Sequence, residues 1–326
     1  MSAAIKISAQ VQRYLRHRRA LGFELRSMGI ALRNFAHYVD RLTRHKPITL
    51  EVMTTWARLD RGQSQDPHTW ARRLMILRPF MRWLQQFEPG TELPEEAVFG
   101  RFGERVAPHV YLEPEIVELL AAAKRLGPAP GLRGATYEAL FGLMASTGLR
   151  ISEAVRLRNA DVDLKDGMLT VLRSKFRKSR FVPLHASTVE HLRRYRRFRD
   201  RWAPFTAETS FFIGSRGRRR GQRLSTRQVD RVFCSLREQL QWRNRGAHSA
   251  IRVHDLRHAF IVRRILAWAA EGVDIDQAML SLSTYVGHAQ VAYTYWYLTG
   301  VPELMALAAQ KFEAGTRKSE VSHART

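Results

Sequence analysis

Six polar residues spread along this 326-residue chain carry, between them, the groups needed to break a phosphodiester: Arg150, Lys175, His254, Arg257, His288 and Tyr297. A tyrosine offers a phenol that can attack phosphorus, and two guanidinium groups can fork onto the non-bridging oxygens. A lysine and imidazoles can give and take the protons that such a transfer moves. That inventory calls for no metal ion and no cofactor.

Each member has a plainer reading when taken alone. Arg150 and Glu153 lie one helical turn apart and could be an ordinary surface ion pair, or Glu153 could hold Arg150 for a phosphate. His254 and His258 have the i, i+4 spacing of zinc ligands, but the interior acid of an H-E-x-x-H site is missing and Arg257 would set a cation beside the ion. Tyr293, Tyr295 and Tyr297 compete for the role of nucleophile, and aromatic residues at such density more often pack than react.

The chain that must position them is strongly basic. It has 54 Lys and Arg against 30 Asp and Glu, a net charge of +24, which favours a polyanionic partner through counterion release. Two clusters, Arg193-Arg-Tyr-Arg-Arg-Phe-Arg and Arg216-Gly-Arg-Arg-Arg-Gly-Gln-Arg, suit phosphate contacts. No run of about 18 apolar residues is present, which argues against a membrane partner. The N-terminal segment lacks a long apolar stretch, so the expected location is the cytoplasm. Cys234 is the only cysteine, which rules out an internal disulfide and a cysteine-based zinc site.

Periodicity sets the architecture. Trp70, Leu74, Leu77, Met81 and Leu84 recur at helical spacing within a basic, all-helical first domain, 1–90. Pro, Gly and acidic residues then break the pattern, and 91–110 reads as a linker. In the second domain, 111–313, Pro114 marks a helix start and another helix spans about 135–146. Met168-Leu-Thr-Val-Leu and Arg180-Phe-Val-Pro-Leu read as a β-hairpin around Ser174-Lys-Phe-Arg-Lys-Ser. Helices follow from Ser225, which has capping-box spacing to Gln228, and from His254 to near Gly272. A polar tail, 314–326, closes the chain. The fold class is mainly α with a small β-hairpin or sheet in the second domain.

These motifs, in this order, resemble the tyrosine recombinases, the phage-integrase family. Thr147-Gly-Leu-Arg150-Ile-Ser-Glu153 is similar to the family's first-arginine motif, and His254-Asp-Leu-Arg257-His258 to its H-x-x-R box. Val286-Gly-His288 resembles the late G-H motif, and Tyr297, in Thr294-Tyr-Trp-Tyr-Leu, falls where the family carries its nucleophile. Lys175, in Ser174-Lys-Phe-Arg-Lys-Ser-Arg180-Phe-Val-Pro-Leu, is similar to the lysine of a K-G-x-x-R-x-V-P-L pattern, with Phe176 where glycine is common and Lys178 as the rival. The sequence from Tyr293 to Leu304 most resembles the transposon-borne branch.

The resemblance implies a helical core-binding domain followed by an α+β catalytic domain that cleaves and rejoins DNA through a 3′-phosphotyrosyl intermediate. It implies Tyr297 as nucleophile, Arg150 and Arg257 on the phosphate, Lys175 as general acid, His254 as base and His288 on the phosphate or packed on Tyr297. Glu153 and His258 support them. It further implies double-stranded DNA recombination sites as partners, a homotetramer on DNA, accessory recombination proteins, and a C-terminal helix at 302–312 that docks on a neighbour or on its own domain. Integration or transposition of a mobile element is the expected role. The alternatives are relaxation of DNA in the manner of a type IB topoisomerase and a catalytically silent DNA-binding protein.

Overall fold

The computed structural model describes residues 6–42, 47–59, 64–95, 98–100, 105–128, 131–172, 179–202, 206–217, 220–302 and 304–306. Two compact units divide the chain, Met1–Glu104 and Arg105–Thr326.

Among the described residues, the first unit has four helices: α1 (Ile7–Ala20), α2 (Arg26–Asp40), α3 (Leu50–Arg58) and α4 (Pro67–Leu84). Asp66 starts α4 by accepting the His68 amide at 3.0 Å, and Pro67 occupies a first-turn position where its missing N–H leaves no bond unmade. The α4 stripe of Leu74, Leu77, Met81 and Leu84 is buried against Val11, Leu32, Phe35 and Trp56. Asp40, closing α2, accepts the amides of Ile7 and Ser8 at 2.9 and 3.3 Å and so ties the end of α2 to the start of α1. Within the stretch read as a linker, Leu93, Val98 and Phe99 pack on this core, whereas His109 is buried in the second unit.

The second unit runs α5 (Glu113–Lys124), α6 (Leu132–Thr147), α7 (Ile151–Ala154), β1 (Val162–Asp163), β2 (Met168–Val171), β3 (Arg180–Pro183), α8 (Ala186–Arg199), α9 (Thr226–Leu240), α10 (Asp255–Ala270), α11 (Ile275–Val286) and α12 (Ala292–Gly300). Helix α6 is apolar around most of its circumference, with Leu140, Phe141, Leu143 and Met144 buried, so neighbours must cover every side of it. Helix α5 comes so close that a Cβ on Gly134 would lie 2.2 Å from the Lys124 carbonyl oxygen. Helices α8 and α10 cover other faces of α6.

Among the described residues, three strands form one antiparallel sheet in the order β1-β2-β3, with Leu169 opposite Val182 and Val171 opposite Arg180. The hairpin strands fall where the sequence places them, and β1 adds a third that two residues could not announce. Ser225 caps α9 through the Gln228 amide at 3.2 Å. A smaller apolar cluster joins α10, α11 and α12 through Ile261, Val262, Met279, Leu282, Val286 and Tyr297. Leu304 adds to that cluster while Met305 is exposed, and the rest of the helix expected to follow, 303 and 307–312, lies outside the described residues, as does the tail. Among the described residues, no helix is long and apolar enough to cross a membrane.

Candidate active site

Two helix ends build the floor of the site. Helix α6 stops at Gly148 (φ 63°) and α11 at Gly287 (φ 71°), a left-handed backbone that glycine adopts without a side-chain clash. Each glycine then offers a carbonyl to an arginine. Arg257 Nη1 donates to the Gly148 oxygen at 2.7 Å, and Arg150 Nη2 donates to the Gly287 oxygen at 2.8 Å. A side chain would also collide: a Cβ on Gly148 would lie 2.6 Å from Phe260 Cδ1, and one on Gly287 2.6 Å from Arg180 Nη1.

Arg150 precedes the short α7, and Glu153 within it folds back on Arg150. Glu153 accepts the Arg150 amide at 3.0 Å and Arg150 Nη1 at 2.9 Å. From β3, Arg180 adds Nη1 at 3.1 Å and Nη2 at 3.0 Å to the same carboxylate, and donates Nε to the Tyr285 carbonyl at 2.7 Å. Burial raises the Glu153 carboxyl, but Arg180 first and then Arg150 outweigh it, and its pKa falls below the ordinary value. The carboxylate is therefore a fixed anion joining two cations. The surface-pair reading of Arg150 and Glu153 does not hold, since the Glu153 side chain is only 5% exposed.

Arg257 is buried, and its Nη2 has no hydrogen-bond partner among the described residues. Burial, with the Arg150 charge second, pulls its pKa down to about 9. The three histidines are also desolvated among cations: His254 is lowered to about 4, His288 to about 3 and His258 to about 2, burial being the largest cause for each. All three are neutral imidazoles at physiological pH, each able to accept at one nitrogen and donate at the other. His288 Nδ1 meets Thr294 Oγ1 at 2.7 Å, and its ring stacks on Tyr297 with centroids 6.4 Å apart and planes at 12°.

The three tyrosines separate cleanly. Tyr293 and Tyr295 are 42% and 37% exposed, and the Tyr295 hydroxyl donates to Asp276 at 3.2 Å. Tyr297 is 1% exposed and sits among the cations and imidazoles. Burial pushes its phenol up to about 12, against the pull of Arg257, Arg105 and Arg150. Its hydroxyl lies 2.7 Å from His258 Nδ1; it does not meet His254, the residue expected as base.

The structure thus brings together Arg150, Glu153, His254, Arg257, His258, His288 and Tyr297. Lys175 and its rival Lys178 lie outside the described residues. Among the described residues, no three His, Cys, Asp or Glu side chains are gathered as metal ligands would be. Sequence reasoning missed Arg180 as a site residue. Its signal was present, as the arginine of the K-G-x-x-R-x-V-P-L pattern, but nothing in a linear motif says that it reaches Glu153. Arg105 was missed as well; its guanidinium lies 4.7 Å from the centre of the Trp296 ring, one residue before the tyrosine.

A helical unit with a small sheet gathers a buried phenol, three arginines and three imidazoles, the groups of an enzyme that transfers a phosphoryl group through tyrosine. The model of the phage integrase family matches residues 110–301. A protein of Sinorhizobium fredii described as an integrase/recombinase, y4rB, is 37% identical over 307 residues, 93% of this chain and 96% of the relative. This chain belongs to that family, the tyrosine recombinases. Two solved structures show the same fold. The Tn1549 transposon integrase in complex with transposon right end DNA has a TM-score of 0.65 at 14% identity, over 95% of this chain and 100% of that one. The XerH site-specific recombinase bound to palindromic difH substrate has a TM-score of 0.62 at 18% identity, over 94% of this chain and 85% of that one.

Proposed function

We propose that Tyr297 is the nucleophile of a site-specific DNA recombinase that moves a mobile element by integration or transposition. The observation that carries the reading is the buried Tyr297 hydroxyl gathered with Arg257, whose Nη2 lacks a hydrogen-bond partner among the described residues. A buried guanidinium donor without an acceptor is costly unless a ligand supplies one, and a phosphate oxygen does so with charge.

A phosphodiester seated on Arg257 and Arg150 has its developing negative charge met by cations that are already fixed in place. Tyr297 Oη attacks phosphorus, forming a 3′-phosphotyrosyl bond as the bond to the 5′-oxygen breaks. Lys175 protonates that oxygen, and His254, neutral at the start of α10, hydrogen-bonds a non-bridging oxygen. With the phenol near 12, about one Tyr297 in 100,000 is ionised at pH 7, so proton removal must accompany attack. The ester keeps the bond energy, and a 5′-hydroxyl from another strand reverses the step.

The first unit is a DNA-binding domain in this reading, supported by the net charge of +24 and by the recombinase structures solved on DNA. The partners are paired double-stranded recombination sites, bound as a homotetramer with accessory recombination proteins, in the cytoplasm. The transposon integrase fold and the y4rB relative favour a mobile element over a topoisomerase role. The test is trapping on a nicked duplex that carries the ends of the element. Wild type should give a covalent protein–DNA band on a denaturing gel, and Tyr297→Phe none. A band from Tyr297→Phe would move the nucleophile to another tyrosine.

A further inference from the structure

We propose that His258, rather than His254, is the base that takes the Tyr297 proton during attack. The proposal rests on Tyr297 being the nucleophile and assigns a role to the side chain that, among the described residues, hydrogen-bonds its hydroxyl.

Geometry comes first. His258 Nδ1 lies 2.7 Å from Tyr297 Oη, within the distance at which a proton passes directly between two atoms. His258 is the fourth residue of α10, and one turn earlier on the same face His254 sets its ring edge-to-face against it at 4.9 Å, with planes at 89°. His254 is thereby turned to another task, and the Tyr297 oxygen is left to His258.

Chemistry fixes the direction of the bond. A neutral imidazole accepts at one nitrogen and donates at the other, and the phenol is the stronger acid, so Tyr297 donates and His258 carries its proton on Nε2. The hydroxyl proton then points at Nδ1, and the oxygen lone pairs are free for phosphorus. The groups around His258 are Arg252, His254 and Arg257 from its own stretch of chain, Arg105 from the segment before α5, and Tyr297 from α12. Burial and the positive charges among them keep the ring neutral, so it is never blocked by a proton of its own.

The proton transfer belongs to the transition state. In the substrate-free site the phenol keeps its proton, because its pKa of about 12 lies far above that of the imidazole. As Oη bonds to phosphorus it becomes an ester oxygen, which cannot hold a proton, and the O–H bond breaks as an Nδ1–H bond forms. The 5′-oxygen leaves with a proton from Lys175. In the joining step the 5′-hydroxyl attacks as its proton passes back to Lys175, Tyr297 leaves, and His258 returns the proton to Oη.

The experiment uses the full chain and a pool of nicked duplexes with a randomised core, read as covalent adduct against time from pH 6 to 9. Half of the pool carries a 5′-bridging sulfur at the scissile phosphate, a leaving group that needs no proton. His258→Asn keeps an acceptor near the Nδ1 position but no longer takes a proton. It should lose about 100-fold in adduct rate with oxygen and with sulfur alike, and its rate should climb about tenfold per pH unit as hydroxide replaces the base. His254→Asn should keep the wild-type pH profile. The proposal is overturned if His254→Asn acquires that slope, or if His258→Asn stays within threefold of wild type. A Tyr297→Phe adduct, or no wild-type adduct on the pool, would sink the proposed function instead. Without DNA, nitrogen NMR of labelled histidine should show His258 with a bare Nδ1 that shifts in Tyr297→Phe. A protonated Nδ1 overturns the proposal whatever the DNA result, and covers the case in which His258→Asn folds poorly.

Discussion

Glu153→Gln separates charge from shape at the centre of the site. The carboxylate accepts four hydrogen bonds, Oε1 from Arg150 Nη1 and Arg180 Nη1, Oε2 from the Arg150 amide and Arg180 Nη2. A carboxamide offers one oxygen and one NH2, so either orientation turns donor against donor at two of the four bonds. Arg180, with a side chain 9% exposed, would also be buried without its counter-ion. Removing one partner of a buried ion pair costs about 3–5 kcal/mol, and for a unit of this size about 4 kcal/mol corresponds to a melting temperature lower by roughly 10 °C. Arg150 would keep the Gly287 carbonyl and one of its two bonds to residue 153 but lose the opposing charge, and adduct formation should fall by about 100-fold or more while duplex affinity changes little. Differential scanning calorimetry and the adduct assay read the two effects separately. Glu208→Gln is the control, since Glu208 is 75% exposed where it meets Arg158, and it should melt like wild type. If Glu153→Gln melted within about 2 °C of wild type, the reasoning that makes this carboxylate the tie between two buried cations would be wrong.

Gly148→Ala forces a side chain onto a φ of 63° and into Phe260; it should lose more than about 1 kcal/mol in urea unfolding and also displace the carbonyl that holds Arg257. Arg257→Lys replaces a fork by a single ammonium that cannot reach both Gly148 and a phosphate; adducts should form about 100-fold more slowly, and a rate within threefold of wild type would contradict the fork. Stability should fall with acid. The folded pKa values of His254, His258 and His288 lie below the unfolded value of about 6.5, so their contribution is complete above pH 6.5 and is lost as pH falls toward 4, by up to about 1.4 kcal/mol per pH unit for each. A urea midpoint that stays flat from pH 7 to pH 5 would refute neutral burial of these rings. Tyr295→Phe, which removes a hydroxyl that donates to Asp276 on the exposed side of α12, should form adducts at the wild-type rate.

What the sequence made legible was whatever a short motif can hold. Arg150 with Glu153, and His254 with Arg257 and His258, lie within a helical turn or so of one another, so their shared faces follow from the pitch of a helix. The α4 stripe and the two strands of the hairpin follow from period alone. Contacts between distant segments stayed hidden. Arg180 is one of 54 basic residues, and only the fold brings it across to Glu153. The family pattern already selects Tyr297 over Tyr293 and Tyr295 by its place; what the sequence does not show is the physical difference, since all three lie on α12 and packing turns the Tyr297 hydroxyl inward. His258 looked like a supporting residue because its hydroxyl partner comes from another helix.

Of the acceptors that hold the two arginines, two are main-chain carbonyls at the ends of α6 and α11, and one is a carboxylate. A point substitution can delete a carboxylate, but every amino acid brings a carbonyl. Mutational drift therefore has few ways to loosen Arg257: it must change the arginine itself or the glycine whose backbone aims the oxygen. Arg150 is exposed to a further route, through Glu153 and then through Arg180. Selection for altered activity in a library of this chain should accordingly weaken Arg150 through Gly287, Glu153 and Arg180 as well as through the arginine itself, and weaken Arg257 chiefly at Gly148 and Arg257.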